Sequence, residues 1–320
     1  MVMNPLVSII IPVYNGSNYM REAIDSALAQ TYPNIEIIVV NDGSCDQGAT
    51  AEIARSYGEK IRYYEKENGG VSSALNRGIQ EMNGEYFSWL SHDDVYEADK
   101  IEKQVSAIFE NALPENTLVY CNSMQINAQS EAISFSKSAS AFSPLVLYHS
   151  CDVLTELLCG RTFNGCCLLI PRKALTESGL FNENLRFCQD AFMWYQIFMR
   201  DYSLFCIDDV LVKNRVHGGQ LTQTGQTLFR KECSEMSEIL VEQFVAVSTK
   251  EKNFLKLYLT SDAKHFRFKR VREIIAEGKK HKLLSSTTAL KAYALCAYGK
   301  IRPYIRKLYY QLFKRVKTNV

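Results

Sequence analysis

The chain has 320 residues, 47% hydrophobic and 22% charged, with a formal net charge of +2. This is the make-up of an ordinary globular protein with room for one large α/β domain and a smaller appendage; it excludes collagen-like, disordered and disulfide-dense classes. The ten cysteines are scattered without a CxxC pair, so they read as small buried hydrophobes in a reducing compartment, not as a zinc site or disulfide framework.

The modest total charge hides an asymmetry. After Glu277 there are eleven Lys or Arg and no acidic residue, so residues 1–277 carry a net −9 against +11 in the tail. Two such surfaces imply different partners. MVMNPLVSIIIPV lacks the basic n-region of a signal peptide and runs straight into a turn, and no stretch reaches the ~18 apolar residues of a membrane span. These features predict a first buried strand and a cytosolic protein.

From residue 7 to about 110, short β-rich runs alternate with amphipathic ones. Strands are predicted over 7–12, 35–40, 61–64 and 86–90, and helices over 18–31, 46–57 and 71–82, the signature of βαβ units around a mostly parallel sheet. Ser17 or Asn18, and Ser44 or Asp46, are the expected N-caps, and Asn83-Gly84 ends the third helix. A further helix is expected over 97–110 and a strand over 117–126. A polar, Ser-rich excursion (127–149) is a candidate for acceptor contact. A helix at 151–159, a strand at 166–172, an apolar helix at 190–202 and an extended run at 203–217 follow. Beyond about 225 the pattern is helical (226–248, 250–277, 287–318), which gives a domain over 1–224 and a helical C-terminal region over 225–320.

In an open α/β sheet, ligands collect outside the carboxyl ends of the strands. VSIIIPVYNG (7–16), IEIIVVNDGS (35–44) and YFSWLSHDD (86–94) each end there on polar residues. Tyr14, Asp42 and Asp93/Asp94 are therefore expected to share one crevice suited to a nucleotide. Tyr14 offers a flat face for stacking. Asp42 offers an acceptor, though an Asp in Asn-Asp-Gly-Ser also serves as an ordinary helix-entry turn. Adjacent carboxylates at Asp93 and Asp94 repel unless a cation or helix N-terminus compensates, and Mg²⁺ or Mn²⁺ takes oxygen ligands.

The segments SIIIPVYNGSNYMREAIDSALAQTYPNIEIIVVNDGSCD (8–46), NGGVSSALNRGIQEMNGEYFSWLSHDD (68–94) and GLFNENLRFCQDAFMWYQIFMRD (179–201) resemble the inverting glycosyltransferases of family 2. The likeness runs as an ordered series over roughly 6–222. It implies a GT-A fold, a Rossmann-like mixed sheet flanked by helices, here followed by the C-terminal helical extension. It further implies transfer of a sugar with inversion from a nucleoside-diphosphate sugar, a UDP-sugar first of all, to a glycan or lipid-linked acceptor in surface polysaccharide synthesis.

Residue by residue, the resemblance makes Pro12, Tyr14 and Asn15 the lining of the base pocket and Asp42 the acceptor for the base. Asn68, Gly69 and Asn76 become donor contacts at the ends of the third helix. Asp93, Asp94 and His217 become the candidate Mn²⁺ or Mg²⁺ site, with Asp93 also reaching the donor. Asp190 is the general base that deprotonates the acceptor hydroxyl. The chain departs from the family pattern at Leu75 (usually Arg), Ser91 (usually Asp) and Gln189 (usually Glu). These departures keep open a catalytically silent nucleotide-sugar-binding scaffold; a sugar nucleotidyltransferase, which has a related fold, lacks its Gly-rich basic loop here. The aromatic, basic tail from 279 fits peripheral attachment to an anionic membrane surface on the cytoplasmic side, with no nucleic-acid partner.

Overall fold

The computed structural model describes residues 4–136, 142–158, 161–218, 228–229, 231–233, 235–236, 239–240, 243, 259, 268–280 and 284–294. The chain divides into two compact units, Met1–Leu154 with Arg161–Met236, and Thr155–Gly160 with Ser237–Val320. All the candidate site residues lie in the first unit.

The first unit begins with the expected alternation: β1 (Val7–Val13), α1 (Met20–Leu28), β2 (Ile35–Asp42), α2 (Ala49–Arg55), β3 (Arg62–Lys66), α3 (Val71–Glu81) and β4 (Tyr86–Trp89). Then come β5 (Val95–Tyr96), α4 (Lys100–Glu110), β6 (Thr117–Ile126), β7 (Ala132–Ser136), β8 (Leu147–Tyr148), α5 (Ser150–Leu158), β9 (Leu168–Pro171), α6 (Arg172–Glu177), α7 (Gln189–Phe198) and β10 (Ser203–Arg215). In the second unit α8 spans Phe268–Lys280, and 286–294 are helical. Residues 295–320, most of the basic tail, lie outside the described residues.

The strands form one mixed sheet in the order β3-β2-β1-β4-β9-β6-β10-β5, with β7 added on β6 and β8 on β10. β3, β2, β1 and β4 run parallel, which requires helical crossovers. β9 then inserts antiparallel between β4 and β6, while β6 and β10 pair in parallel. Every residue of β1 is buried, as expected of a strand covered on both faces. Gly78 lets α3 lie close on β1: a Cβ there would stand 2.4 Å from Ile10 Cγ2.

The polar excursion at 127–149 is partly strand. β7 turns back on β6, and β8 pairs with β10. The helix starts also differ from expectation. No side chain caps α1, whose N-cap is Tyr19, and Gly48 precedes α2. Asp46 instead accepts from Thr50 N at 3.1 Å and from Thr50 Oγ1 at 2.6 Å, tying the turn to the helix from outside it.

Candidate active site

The ends of β1 and β2 build one wall. Pro12 is buried in β1 opposite Val40, so it shapes the strand end. Tyr14 follows and is 45% exposed. Asn15 sits at φ 49°; its backbone N–H donates to Ser44 Oγ (2.9 Å) and its side-chain Oδ1 accepts from Cys45 N (2.8 Å). These bonds lash the loop after β1 to the loop after β2. Cys45 Sγ stands 3.5 Å from both Tyr14 Oη and Asn15 Nδ2, and these hydrogen bonds lower the thiol pKa.

Asp42 closes β2 with only 3% of its surface exposed. Its Oδ1 accepts from Lys66 Nζ (2.8 Å) and Gly69 N (3.0 Å), and its Oδ2 from Gly70 N (2.7 Å). Asn68 Nδ2 donates to the Asp42 carbonyl at 2.9 Å. A carboxylate has about four acceptor positions, and these bonds fill three of them. Gly43, at φ +69°, permits this closeness: a Cβ there would come 2.6 Å from Asn68 N. The structure brings Asp42, Asn68 and Gly69 together, with Asn68 and Gly69 donating to Asp42 itself, and adds Lys66, which the sequence reading missed. Its signal was a cation ending β3 beside the acidic end of β2.

Asn76 has a different setting. Its Nδ2 donates to Phe181 O (2.9 Å) and Glu183 Oε1 (2.8 Å), and its Oδ1 accepts from Phe181 N (2.9 Å). Buried on α3, it clamps the loop at 181–183.

The turn after β4 separates its two carboxylates. Asp93 Oδ2 lies 3.1 Å from His217 Nε2. Asp94 faces inward: Oδ1 accepts from Arg215 N (2.9 Å), and Oδ2 from Asn214 Nδ2 (3.0 Å) and Cys166 Sγ (3.3 Å). Burial, then the charge of Asp93, raises the Asp94 carboxyl to about 7. Where the family usually has its first Asp, the amide and hydroxyl of Ser91 both lie 3.4 Å from Cys166 Sγ. Among the described residues, no group of three or more His, Cys, Asp or Glu is arranged to hold a metal ion.

Arg215, at the end of β10, organises this turn and was also missed. Its side chain is 1% exposed. Nε donates to the Asp93 carbonyl (2.8 Å), Nη1 to Asn127 O (3.1 Å) and Ser130 Oγ (2.9 Å), and Nη2 to Glu22. The guanidinium also lies 4.5 Å from the centre of the Tyr19 ring, and that ring is 5.1 Å from the ring of His217. One planar, five-donor group therefore joins α1, the β6–β7 turn, β10 and the Asp93 turn.

Asp190 lies in the first turn of α7. Its Oδ1 accepts from Ala191 N at 2.6 Å. Burial lifts its carboxyl to about 6, near where a general base works at neutral pH. The neighbouring Gln189 is 8% exposed, and its Oε1 is buried without a hydrogen-bond partner. Trp89 and Trp194 are buried and each lies edge-on to Phe181, which makes them core and wall.

Among the described residues no helix is long and apolar enough to cross a membrane. The glycosyl transferase family 2 profile matches residues 8–170. The chain is 45% identical over 272 residues to an uncharacterised glycosyltransferase of Rickettsia typhi, covering 80% of this chain and 83% of the relative. It is 52% identical over 216 residues to one of Rickettsia felis, covering 68% of this chain and 35% of that longer relative. The fold matches Staphylococcus aureus TarS 1–349 in complex with UDP-GlcNAc, with a TM-score of 0.63, 16% identity, and coverage of 82% of this chain and 73% of that one. A profile spanning half the chain, a relative alike over most of its length and a shared GT-A architecture agree: this protein belongs to glycosyl transferase family 2.

Proposed function

We propose that the protein transfers a sugar, with inversion, from a UDP-sugar to a glycan or lipid-linked acceptor in surface polysaccharide synthesis. The observation that carries this reading is Asp190: a recessed carboxylate with a pKa raised to about 6 at the start of a helix. The fold shared with TarS, whose structures include complexes with UDP-GlcNAc and UDP, supports the donor class.

In this reading Tyr14 stacks on the base, and the remaining acceptor position of Asp42 takes the base N–H. Lys66, Asn68 and Gly69 hold Asp42 in place. Asp93 and His217 would hold Mn²⁺ or Mg²⁺. The carboxylate fits either ion and the imidazole fits Mn²⁺ or a donor to phosphate oxygen, the remaining ligands commonly coming from diphosphate and water. The bound cation would neutralise charge on the leaving diphosphate. Asp94, turned inward and held by Asn214, Arg215 and Cys166, supports the turn that carries Asp93. Asp190 accepts the proton of the acceptor hydroxyl as that oxygen attacks the anomeric carbon and the bond to the diphosphate breaks.

The departures at Ser91 and Gln189 favour one rival, a nucleotide-sugar-binding scaffold. A panel of UDP-, GDP- and dTDP-sugars with Mn²⁺ separates the two: turnover of a UDP-sugar supports transfer, and binding without turnover supports the scaffold.

A further inference from the structure

We infer that Glu232 is a positioning residue for the reaction: it holds the entry of α7 and thereby the place of Asp190. This rests on the assignment of Asp190 as base. Glu232 lies outside every segment that carries the family resemblance, and only 2% of its surface is exposed. Its carboxylate accepts three consecutive backbone amides: Oε1 from Arg186 N (2.9 Å), and Oε2 from Phe187 N (2.7 Å) and Cys188 N (3.1 Å). Cys188 is the N-cap of α7, and its own side chain makes no capping bond.

Successive amides aimed at one point form an anion-binding concavity, and the positive end of a helix favours negative charge there. A carboxylate brought from 44–46 residues further along the chain fills it. The segment 231–233 is thus pinned to the residues that lead into the helix bearing Asp190. A second contact fixes the same junction: Cys188 Sγ and Cys233 Sγ are 3.4 Å apart. Both thiols are free. Catalytic groups must be held to within a fraction of an ångström, and a shift of 1 Å can cost about 100-fold in rate. A buried anion that fixes a helix entry two residues before a base meets that need.

The thiol pair supplies the test. In E232A and E232Q, kcat for transfer falls about 100-fold, while donor KM and Kd stay within twofold of wild type. Oxidised dithiothreitol then accepts two electrons and two protons from Cys188 and Cys233, leaving a disulfide between them and a reduced dithiol. This cross-link, verified by peptide mass spectrometry, restores kcat in E232A, and the same treatment leaves E232A/C233S, which cannot form it, unchanged. Unchanged kcat, an equal loss of donor affinity, or cross-linking without recovery overturns the inference; E232Q decides the matter if E232A does not fold. If the wild type turns over no nucleotide sugar, the proposed function fails and the inference is judged by hydrogen exchange. Faster exchange of amides 186–190 in E232Q upholds the clamp, and unchanged exchange refutes it.

Discussion

Replacing Arg215 by Met keeps much of the apolar stem and removes every donor of the guanidinium. The Asp93 and Asn127 carbonyls and Ser130 Oγ then lose charged hydrogen bonds of 2.8–3.1 Å in a site where the arginine side chain is 1% exposed. Each such bond contributes about 1.5–3 kcal/mol. The pair with Glu22 adds little, because that carboxylate is 43% exposed and a solvated ion pair contributes at most about 1 kcal/mol. Allowing water to replace part of the loss, the cost is about 3–5 kcal/mol, as expected when one member of a buried charged cluster is removed. Urea unfolding followed by tryptophan fluorescence measures it, since Trp89 and Trp194 are both buried in the first unit. R215M should unfold at a markedly lower midpoint with an unchanged m-value, and E22Q should shift by less than about 1 kcal/mol. A loss below about 1 kcal/mol in R215M would refute the view of Arg215 as the tie between α1, β10 and the Asp93 turn.

Because Asp190 must be ionised to act, and burial lifts its carboxyl to about 6, transfer should drop roughly tenfold per pH unit below that value; a rate flat from pH 7 to 5 speaks against the assignment. Asp94 is likewise raised, to about 7, from an unfolded value of about 3.9. The native state then holds a proton that the unfolded chain has lost. Its contribution to stability is whole below about pH 4 and disappears as the pH rises through 7, by up to about 1.4 kcal/mol per unit. Chemical denaturation of D94N against wild type at pH 4, 5.5 and 7 should show the wild type losing ground with rising pH, and parallel curves would sink the idea. For the basic tail, truncation after Gly278 should abolish sedimentation with anionic vesicles, whereas undiminished binding would place any membrane contact elsewhere.

The strand ends were legible because period, turn residues and crossover length are local properties. Asp42, Asn68, Gly69, Asp93 and His217 were singled out through the family motifs, but that Asn68 and Gly69 donate to Asp42 itself was not foreseen. What escaped depends on partners distant in the chain. Nothing local distinguishes Asp93 from Asp94; β10 does, by donating Asn214 and the Arg215 amide to the second. Asn76 occupies a motif position, yet its amide serves the loop at 181–183, 105–107 residues away. Arg215 stands beside His217 in VKNRVH without a pattern of its own, and Glu232 lies in a helical run that carries no motif. The insertion of antiparallel β9 between β4 and β6 was equally invisible, since a short apolar run does not encode its neighbours.

Transfer and donor binding in Asp190→Asn, measured with the nucleotide sugar that the wild type uses, test the central claim most directly. The substitution keeps the size of the side chain and removes the base. The account predicts donor affinity within about twofold of wild type and transfer reduced by about 10²–10⁴. Transfer near the wild-type rate would contradict it.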